Sequence, residues 1–353
     1  MENKEKIKKI LIVRYRFIGD TVLTTPFIKN VSENFPQAEI DVLVSPNSGE
    51  LIEGNPNVSN VIYLSSSKFH KYENTNILQE QKREIYYSFL GCIFGVVKKK
   101  YDLVFVLKRS FSSAILSFFT GAKYRVGFDT ESRGFLLTHP IKYDFNAREL
   151  DNFLNCLKPL NIVPKKYNTE IYPSESERNK AKENISKLDK FRPKIGIHMT
   201  SAHPYKEWKK SHLAKLLDLL YEKHNAQFVF TGAHLDSKYY DSVLSLAEHG
   251  GKFKYLNMCG KTTIRECYAL YENLDFMICV DSGNSHLSAA ANIPTYVLYG
   301  PTRPEKWLPV GKQVKALTLT QVLPCQPCDL KVRCNHINCM KLLSPEFVLS
   351  TLN

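Results

Sequence analysis

Residues 10–30 read ILIVRYRFIGDTVLTTPFIKN, and the side chains that could do chemistry, Arg14, Arg16, Gly19 and Asp20, sit where an apolar run gives way to a helical pattern. In open α/β sheets ligands bind beyond the carboxyl ends of strands. A carboxylate placed there can accept a proton from a hydroxyl nucleophile. Two arginines one residue apart on a strand end can face the same anion, and Gly19 permits a tight backbone turn between strand and helix. An ordinary helix N-cap is the competing assignment for Asp20, since Asp fills that place often. Solvation is the competing assignment for both arginines.

A second stretch, residues 278–302, reads ICVDSGNSHLSAAANIPTYVLYGPT. Its strand ends at Asp281, and the small-residue turn Ser282–Gly283 leads into a helix carrying His286. Backbone N–H groups and the dipole at such a helix start suit a phosphate or diphosphate. The turn at Gly300–Thr302 ends the next strand and lies beside the first turn in a parallel sheet, so two turns share one edge. A third stretch, IHMTSAHPYKEWKKSHLAKLL at residues 197–217, repeats strand, polar loop and helix. Thr200, Ser201 and Lys206 could hold phosphate oxygens there, with Trp208 packing the loop onto its domain. The competing assignments are a plain βα turn for the second stretch and a solvated lysine for the third.

Several familiar sites are absent. No G-x-G-x-x-G dinucleotide fingerprint occurs, and GKTT at Gly260–Thr263 has Tyr255 where a P-loop needs its first glycine. There is no D-x-D pair to hold a metal and a diphosphate, and no G-x-S-x-G nucleophile elbow. The segment CQPCDLKVRCNHINCM places Cys325, Cys328, Cys334 and Cys339 close together, with His336 as a spare ligand. Four soft ligands on a short loop can close a tetrahedron around structural zinc. Zinc, a disulfide pair and free thiols all stay open on spacing alone.

The elements that must position these residues are β-rich runs alternating with helical patterns, the mark of parallel sheets with helices on both faces. Strands are predicted at Ile10–Arg14, Ile40–Val44, Val61–Leu64, Leu103–Leu107 and Tyr124–Gly127, with helices at Thr21–Asn34 and Ser112–Phe119. After the polar stretch Pro164–Arg192, which reads as a linker with room for a short helix, the pattern restarts. Strands follow at Lys194–His198, Gln227–Thr231, Phe276–Val280 and Thr295–Tyr299, and helices at Ser211–Lys223, Ser237–Glu248, Ile264–Glu272 and Ser285–Asn292. Leu213, Leu216, Leu217 and Leu220 recur at the spacing of one buried helix face. A polar stretch without period, Ser65–Arg83, reads as a long loop.

At 353 residues the chain exceeds the roughly 250–300 at which single cores stop growing. Two Rossmann-like domains result: residues 1–170, a linker at 171–192, and residues 193–353 with the four-cysteine segment at 325–339. Lys and Arg outnumber Asp and Glu by 48 to 35, and the formal charge of +13 favours an anionic partner: nucleic acid, an acidic membrane surface or phosphorylated small molecules. No signal-peptide core or membrane span is visible, so a cytoplasmic protein is expected. Nine cysteines in a chain of this size suit reduced thiols better than a secreted disulfide scaffold.

In their order along the chain, ILIVRYRFIGDTVLTTPFIKN, VGFDTESRGFLLTHPI, IHMTSAHPYKEW and DSGNSHLSAAANIPTYVLYGPT resemble the bacterial heptosyltransferases, glycosyltransferase family nine. The resemblance spans nearly the whole chain. It implies a GT-B fold, two Rossmann-like domains facing across a cleft, and inverting, metal-independent transfer of heptose from ADP-heptose to the anionic lipopolysaccharide core. It implies Asp20 as catalytic base, Arg14, Arg16 and Gly19 on the acceptor side, and Lys206 on the donor phosphate. Thr200, Ser201, Asp281, Ser282, Gly283 and His286 follow as donor-binding. Some family members carry a ribose-binding Glu after the second strand of the donor domain; here TGAHLDSKYY offers Asp236 instead. No catalytic cofactor and no nucleic acid are expected, and peripheral contact with the inner face of the inner membrane fits the charge. The nearest alternatives are transfer from another nucleotide sugar and a non-catalytic basic protein that binds glycolipid or nucleic acid.

Overall fold

The computed structural model describes residues 4–15, 17–65, 82–86, 88–321, 323–331 and 334–352. The chain divides into two compact units, Met1–Ser174 and Glu175–Asn353.

The first unit is built on β1 (Lys9–Val13), β2 (Glu39–Val44), β3 (Asn60–Leu64), β4 (Lys82–Tyr86), β5 (Leu103–Val106), β6 (Tyr124–Phe128) and β7 (His139–Ile141). They form one parallel sheet in the order β4-β3-β2-β1-β5-β6-β7. Ile10, Leu11, Ile12 and Val13 are all fully buried, as a strand covered on both faces requires. β1 pairs with β2 on one side and β5 on the other, Val13 lying opposite Leu43 and Val106. The chain therefore winds outward in both directions from β1, and the crevice at the carboxyl ends of β1 and β5 is the switch point where such sheets bind ligands.

The second unit repeats the plan with β8 (Lys194–His198), β9 (Gln227–Phe230), β10 (Tyr255–Asn257), β11 (Phe276–Val280), β12 (Thr295–Leu298) and β13 (Val314–Leu317), all parallel, in the order β10-β9-β8-β11-β12-β13. Its switch point lies between β8 and β11. Leu213, Leu216, Leu217 and Leu220 of the helix Lys210–His224 join Ile195, Ile197, Ile278 and Val280 in one core cluster, as their spacing predicts.

Four strands lie beyond the sequence expectation. Three of them, β4, β10 and β13, are sheet edges, and β7 is the fourth edge; all are short or charged, so the continuous apolar run that marks an interior strand of a parallel sheet is absent. Lys82 and Arg83, expected in a loop, belong to β4; residues 66–81 of that expected loop lie outside the described residues. The polar stretch expected as a linker carries the helix Glu175–Ile185, which packs on the helix Ile264–Tyr271 through Arg178 to Glu272 and through Lys180 to Glu266 at 2.7 Å.

Candidate active site

In the first unit the helix after β1 spans Ile18–Asn34, so Asp20 is a residue of its first turn and not its N-cap. The cap position belongs to Phe17, whose φ of +42° supplies the sharp turn from strand to helix expected of Gly19; Gly19 is buried within the helix. A non-glycine residue held there stores strain of about 1–3 kcal/mol. The turn carries the Asp20 carboxylate to the positive end of the helix dipole, where it pairs with the Arg14 guanidinium. Arg14 continues the ladder through its N–H to Leu43 O at 3.0 Å. Its side chain is buried, with the guanidinium 5.2 Å from the Phe153 ring centroid. Arg16 lies outside the described residues.

Across the switch point, β5 is followed by Lys108, Arg109 and Ser110, which sequence reasoning passed over. Lys108 Nζ lies 3.4 Å from the Tyr15 ring centroid and the Arg109 guanidinium 4.1 Å from that of Tyr143. Fully buried Arg133 ties the Ser110 carbonyl to this edge and donates to Phe128 O at 2.8 Å. The available signal was Lys-Arg-Ser-Phe-Ser-Ser, a strand end with two cations before a serine-rich helix start. A carboxylate paired with a buried arginine, in a unit that also holds Lys108 and Arg109 on aromatic faces after β5, has the groups to bind a polar, anionic molecule and take a proton from it.

In the second unit, β8 and β11 are neighbours, with His198 opposite Cys279. Asp281 Oδ2 accepts from Lys206 Nζ at 2.7 Å and from Thr302 Oγ1 at 2.6 Å. One carboxylate thus joins all three predicted turns, from the loops after β8, β11 and β12. Trp208 is buried and donates to Leu343 O at 2.9 Å, which seats the Lys206 loop. The helix Gly283–Ala290 begins at Ser282 with no side-chain cap. Its first N–H groups have no partner within the helix, an arrangement that suits an anion, with Lys206 held close by through Asp281. His286 is buried on that helix.

Thr200 Oγ1 donates to Asp236 Oδ2 at 2.9 Å, and the same oxygen accepts from Ala233 N at 2.7 Å. The Ser201 N–H reaches Glu207 Oε1 at 3.3 Å, and burial pushes the Glu207 carboxyl upward. Asp236 and Ser201 therefore shape the loop backbone in this structure.

Behind these turns lies a closed ring of hydrogen bonds that the sequence did not suggest. The Tyr271 hydroxyl donates to Asn284 Oδ1 at 2.9 Å. It therefore accepts from Thr231 Oγ1, also at 2.9 Å. Thr231 in turn accepts from His198 Nδ1 at 3.2 Å, and Asn284 Nδ2 donates to His198 Nε2 at 3.1 Å. Every partner is satisfied when His198 is neutral with its proton on Nδ1. Burial drives the His198 imidazole down to about 4, against a smaller upward pull from Asp236. The ring fixes Asn284, and with it the first turn of the uncapped helix.

The sequence model of glycosyltransferase family 9 (heptosyltransferase) matches residues 95–336. The lipooligosaccharide heptosyltransferase 2 of Haemophilus ducreyi is 27% identical over 328 residues, covering 88% of each chain. The structure superposes on the family 9 glycosyl transferase of Veillonella parvula with a TM-score of 0.80 at 21% identity, covering 99% of this chain and 97% of that one. It superposes on the Escherichia coli ADP-heptose lipopolysaccharide heptosyltransferase II with a TM-score of 0.76 at 23% identity, covering 97% and 96%. These superpositions bear out the two-sheet α/β architecture of the GT-B class. Matched over more than half its length, the chain is a transferase that belongs to glycosyltransferase family 9.

Proposed function

We propose that this chain transfers heptose, with inversion, from ADP-heptose to a hydroxyl of the lipopolysaccharide inner core, with Asp20 as the general base and no metal in the reaction. The observation that carries the proposal is the joining of Lys206, Asp281 and Thr302 at an uncapped helix start on the donor-side switch point. Relatives named as lipopolysaccharide heptosyltransferases, one of them for ADP-heptose, supply the sugar and the acceptor class. In the reaction the acceptor oxygen bonds to the anomeric carbon from the face opposite the diphosphate, and its proton passes to an Asp20 oxygen. The bond from the anomeric carbon to the diphosphate oxygen breaks, and its electron pair leaves with ADP. Lys206 and the N–H groups at Gly283 and Asn284 take up the charge that grows on the leaving diphosphate. Asp281 and Thr302 hold Lys206 in place for that task, and Arg14 orients the Asp20 carboxylate.

A lipid-linked acceptor also needs a membrane-facing surface, and the helix Phe89–Lys98 supplies one. It buries Cys92, Ile93 and Val96, yet exposes Leu90, Phe94 and Val97 on its other side. A surface helix that is apolar all round has a partner for its outer face. Exposed Phe118 and Phe119 on the packed neighbouring helix Phe111–Phe119, with exposed Lys98, Lys100 and Lys123, match the interface of an anionic bilayer.

The test is ADP release from ADP-heptose with a heptose-free lipid A–Kdo acceptor and with a heptosylated core acceptor, comparing wild type with Asp20→Asn after brief EDTA exposure. Release that depends on Asp20 and survives EDTA is expected. No release with either acceptor would reject the donor assignment, and full activity in Asp20→Asn would reject the base.

A further inference from the structure

The four-cysteine segment is not absorbed by the reaction, yet the fold builds a chamber from it. Cys325, Cys328, Cys334 and Cys339, with His336, line one cavity of about 260 Å³ that Tyr205 and Pro301 also line. The segment is fastened to the turn after β12. Gln326 Nε2 donates to Gly300 O at 2.7 Å, the Asp329 N–H donates to Pro301 O at 2.8 Å, and Asp329 pairs with Arg303 at 2.9 Å. A Cβ added at Gly300 would meet Met340 Sδ at 2.5 Å and Cys339 Sγ at 3.1 Å, so only glycine lets the segment approach so closely. Tyr205 and Pro301 are the chain neighbours of Lys206 and Thr302, the two donors to Asp281.

We propose that these four sulfurs hold a thiolate-bound transition-metal centre, zinc or iron, which braces the Gly300–Thr302 and Tyr205–Lys206 turns of the donor site. A four-sulfur tetrahedral set is the ligand environment that zinc and iron share. All nine cysteines are free thiols, and Cys334 Sγ lies 3.7 Å from His336 Nδ1. Among the described residues no three of these ligand atoms fall within 4.8 Å of one another. Thiolates on a single zinc stand about 3.8 Å apart, for bonds of about 2.3 Å. Loading therefore draws the segment inward around the chamber, and each thiol gives up its proton to solvent as its metal–sulfur bond forms. The metal site stands apart from the proposed reaction; the bracing of a nucleotide site rests on it.

The test begins with protein purified anaerobically under reducing conditions and reconstituted separately with Zn²⁺ and Fe²⁺. Metal content is measured by elemental analysis, which tells iron from zinc, and near-ultraviolet sulfur-to-iron charge-transfer absorbance reports thiolate ligation of Fe²⁺. We expect at least stoichiometric metal, lost in Cys325→Ser/Cys328→Ser and kept in His249→Ala. The His249 variant controls for the cluster of exposed Glu222 and Glu248 with half-buried His249, which has ligand spacing of its own. Should the double variant fail to fold, titrating the wild type with a mercurial must release metal in step with modification of these four thiols. Removing the metal is expected to weaken ADP binding by about fivefold or more. Failure to take up either metal while the four thiols titrate free, or metal retained by the folded double variant, would overturn the site. ADP affinity unchanged by metal removal would overturn the bracing. Wild-type, metal-loaded protein that binds no ADP would instead count against the proposed reaction.

Discussion

Acid should destabilise the second unit by about 2 kcal/mol at pH 5 through His198 alone. In the folded chain the imidazole titrates near 4, against 6.5 when unperturbed, and it accepts from Asn284 Nδ2 at 3.1 Å only while neutral. A histidine depressed by folding contributes stability that is present above its unfolded value and is lost as pH falls through the folded one. The window here runs from about pH 6.5 down to 4. Full protonation across that window corresponds to about 3 kcal/mol, of which linkage removes about 2 kcal/mol by pH 5. The assay is urea unfolding read by tryptophan fluorescence, since both tryptophans, Trp208 and Trp307, lie in the second unit. His198→Gln keeps a donor and an acceptor but does not titrate, so the difference between wild type and variant isolates this group from the other carboxylates and histidines. That difference should move by about 2 kcal/mol between pH 7 and pH 5, in the direction that penalises wild type. Parallel curves, agreeing within about 0.5 kcal/mol over that range, would refute the neutral ring.

Asp20→Asn should lower kcat by about 10²–10⁴ with donor affinity retained, measured by steady-state ADP release, because a general base contributes over that range. Lys206→Ala should cost about 10²–10³ in kcat and weaken ADP binding in calorimetry, as for loss of one donor to a developing charge. Leu90→Glu/Phe94→Glu should abolish sedimentation with anionic vesicles while turnover on a soluble, delipidated acceptor is unchanged.

The interior of both sheets was legible in the sequence because it repeats a physical constraint. Strands such as Ile10–Val13 and Phe276–Val280 must be apolar on both faces, and Leu213, Leu216, Leu217 and Leu220 must share one. Edge strands carry no such constraint, so Lys82 and Arg83 of Lys82–Tyr86 read as the end of a polar loop and His139–Ile141 is too short to show a period. The same division runs through the candidate site. Lys206, Asp281 and the turn at Thr302 were visible as separate strand ends, and their meeting at one carboxylate follows from parallel order, since strands that share a direction bring all their carboxyl ends to one edge.

His198, Thr231, Tyr271 and Asn284 were not visible, because each has an ordinary local assignment: strand end, strand end, buried helix face and helix start. Only the register that sets β8 between β9 and β11 brings them into a ring. Asp20 shows a third case. Its place at the strand-to-helix junction was legible, but the turn was assigned to glycine when Phe17 makes it. A glycine at that position would adopt the same φ without strain and leave the junction free to relax. Phe17 is held there by the strand on one side and the helix on the other, which fixes the direction in which the Asp20 carboxylate leaves the helix toward Arg14.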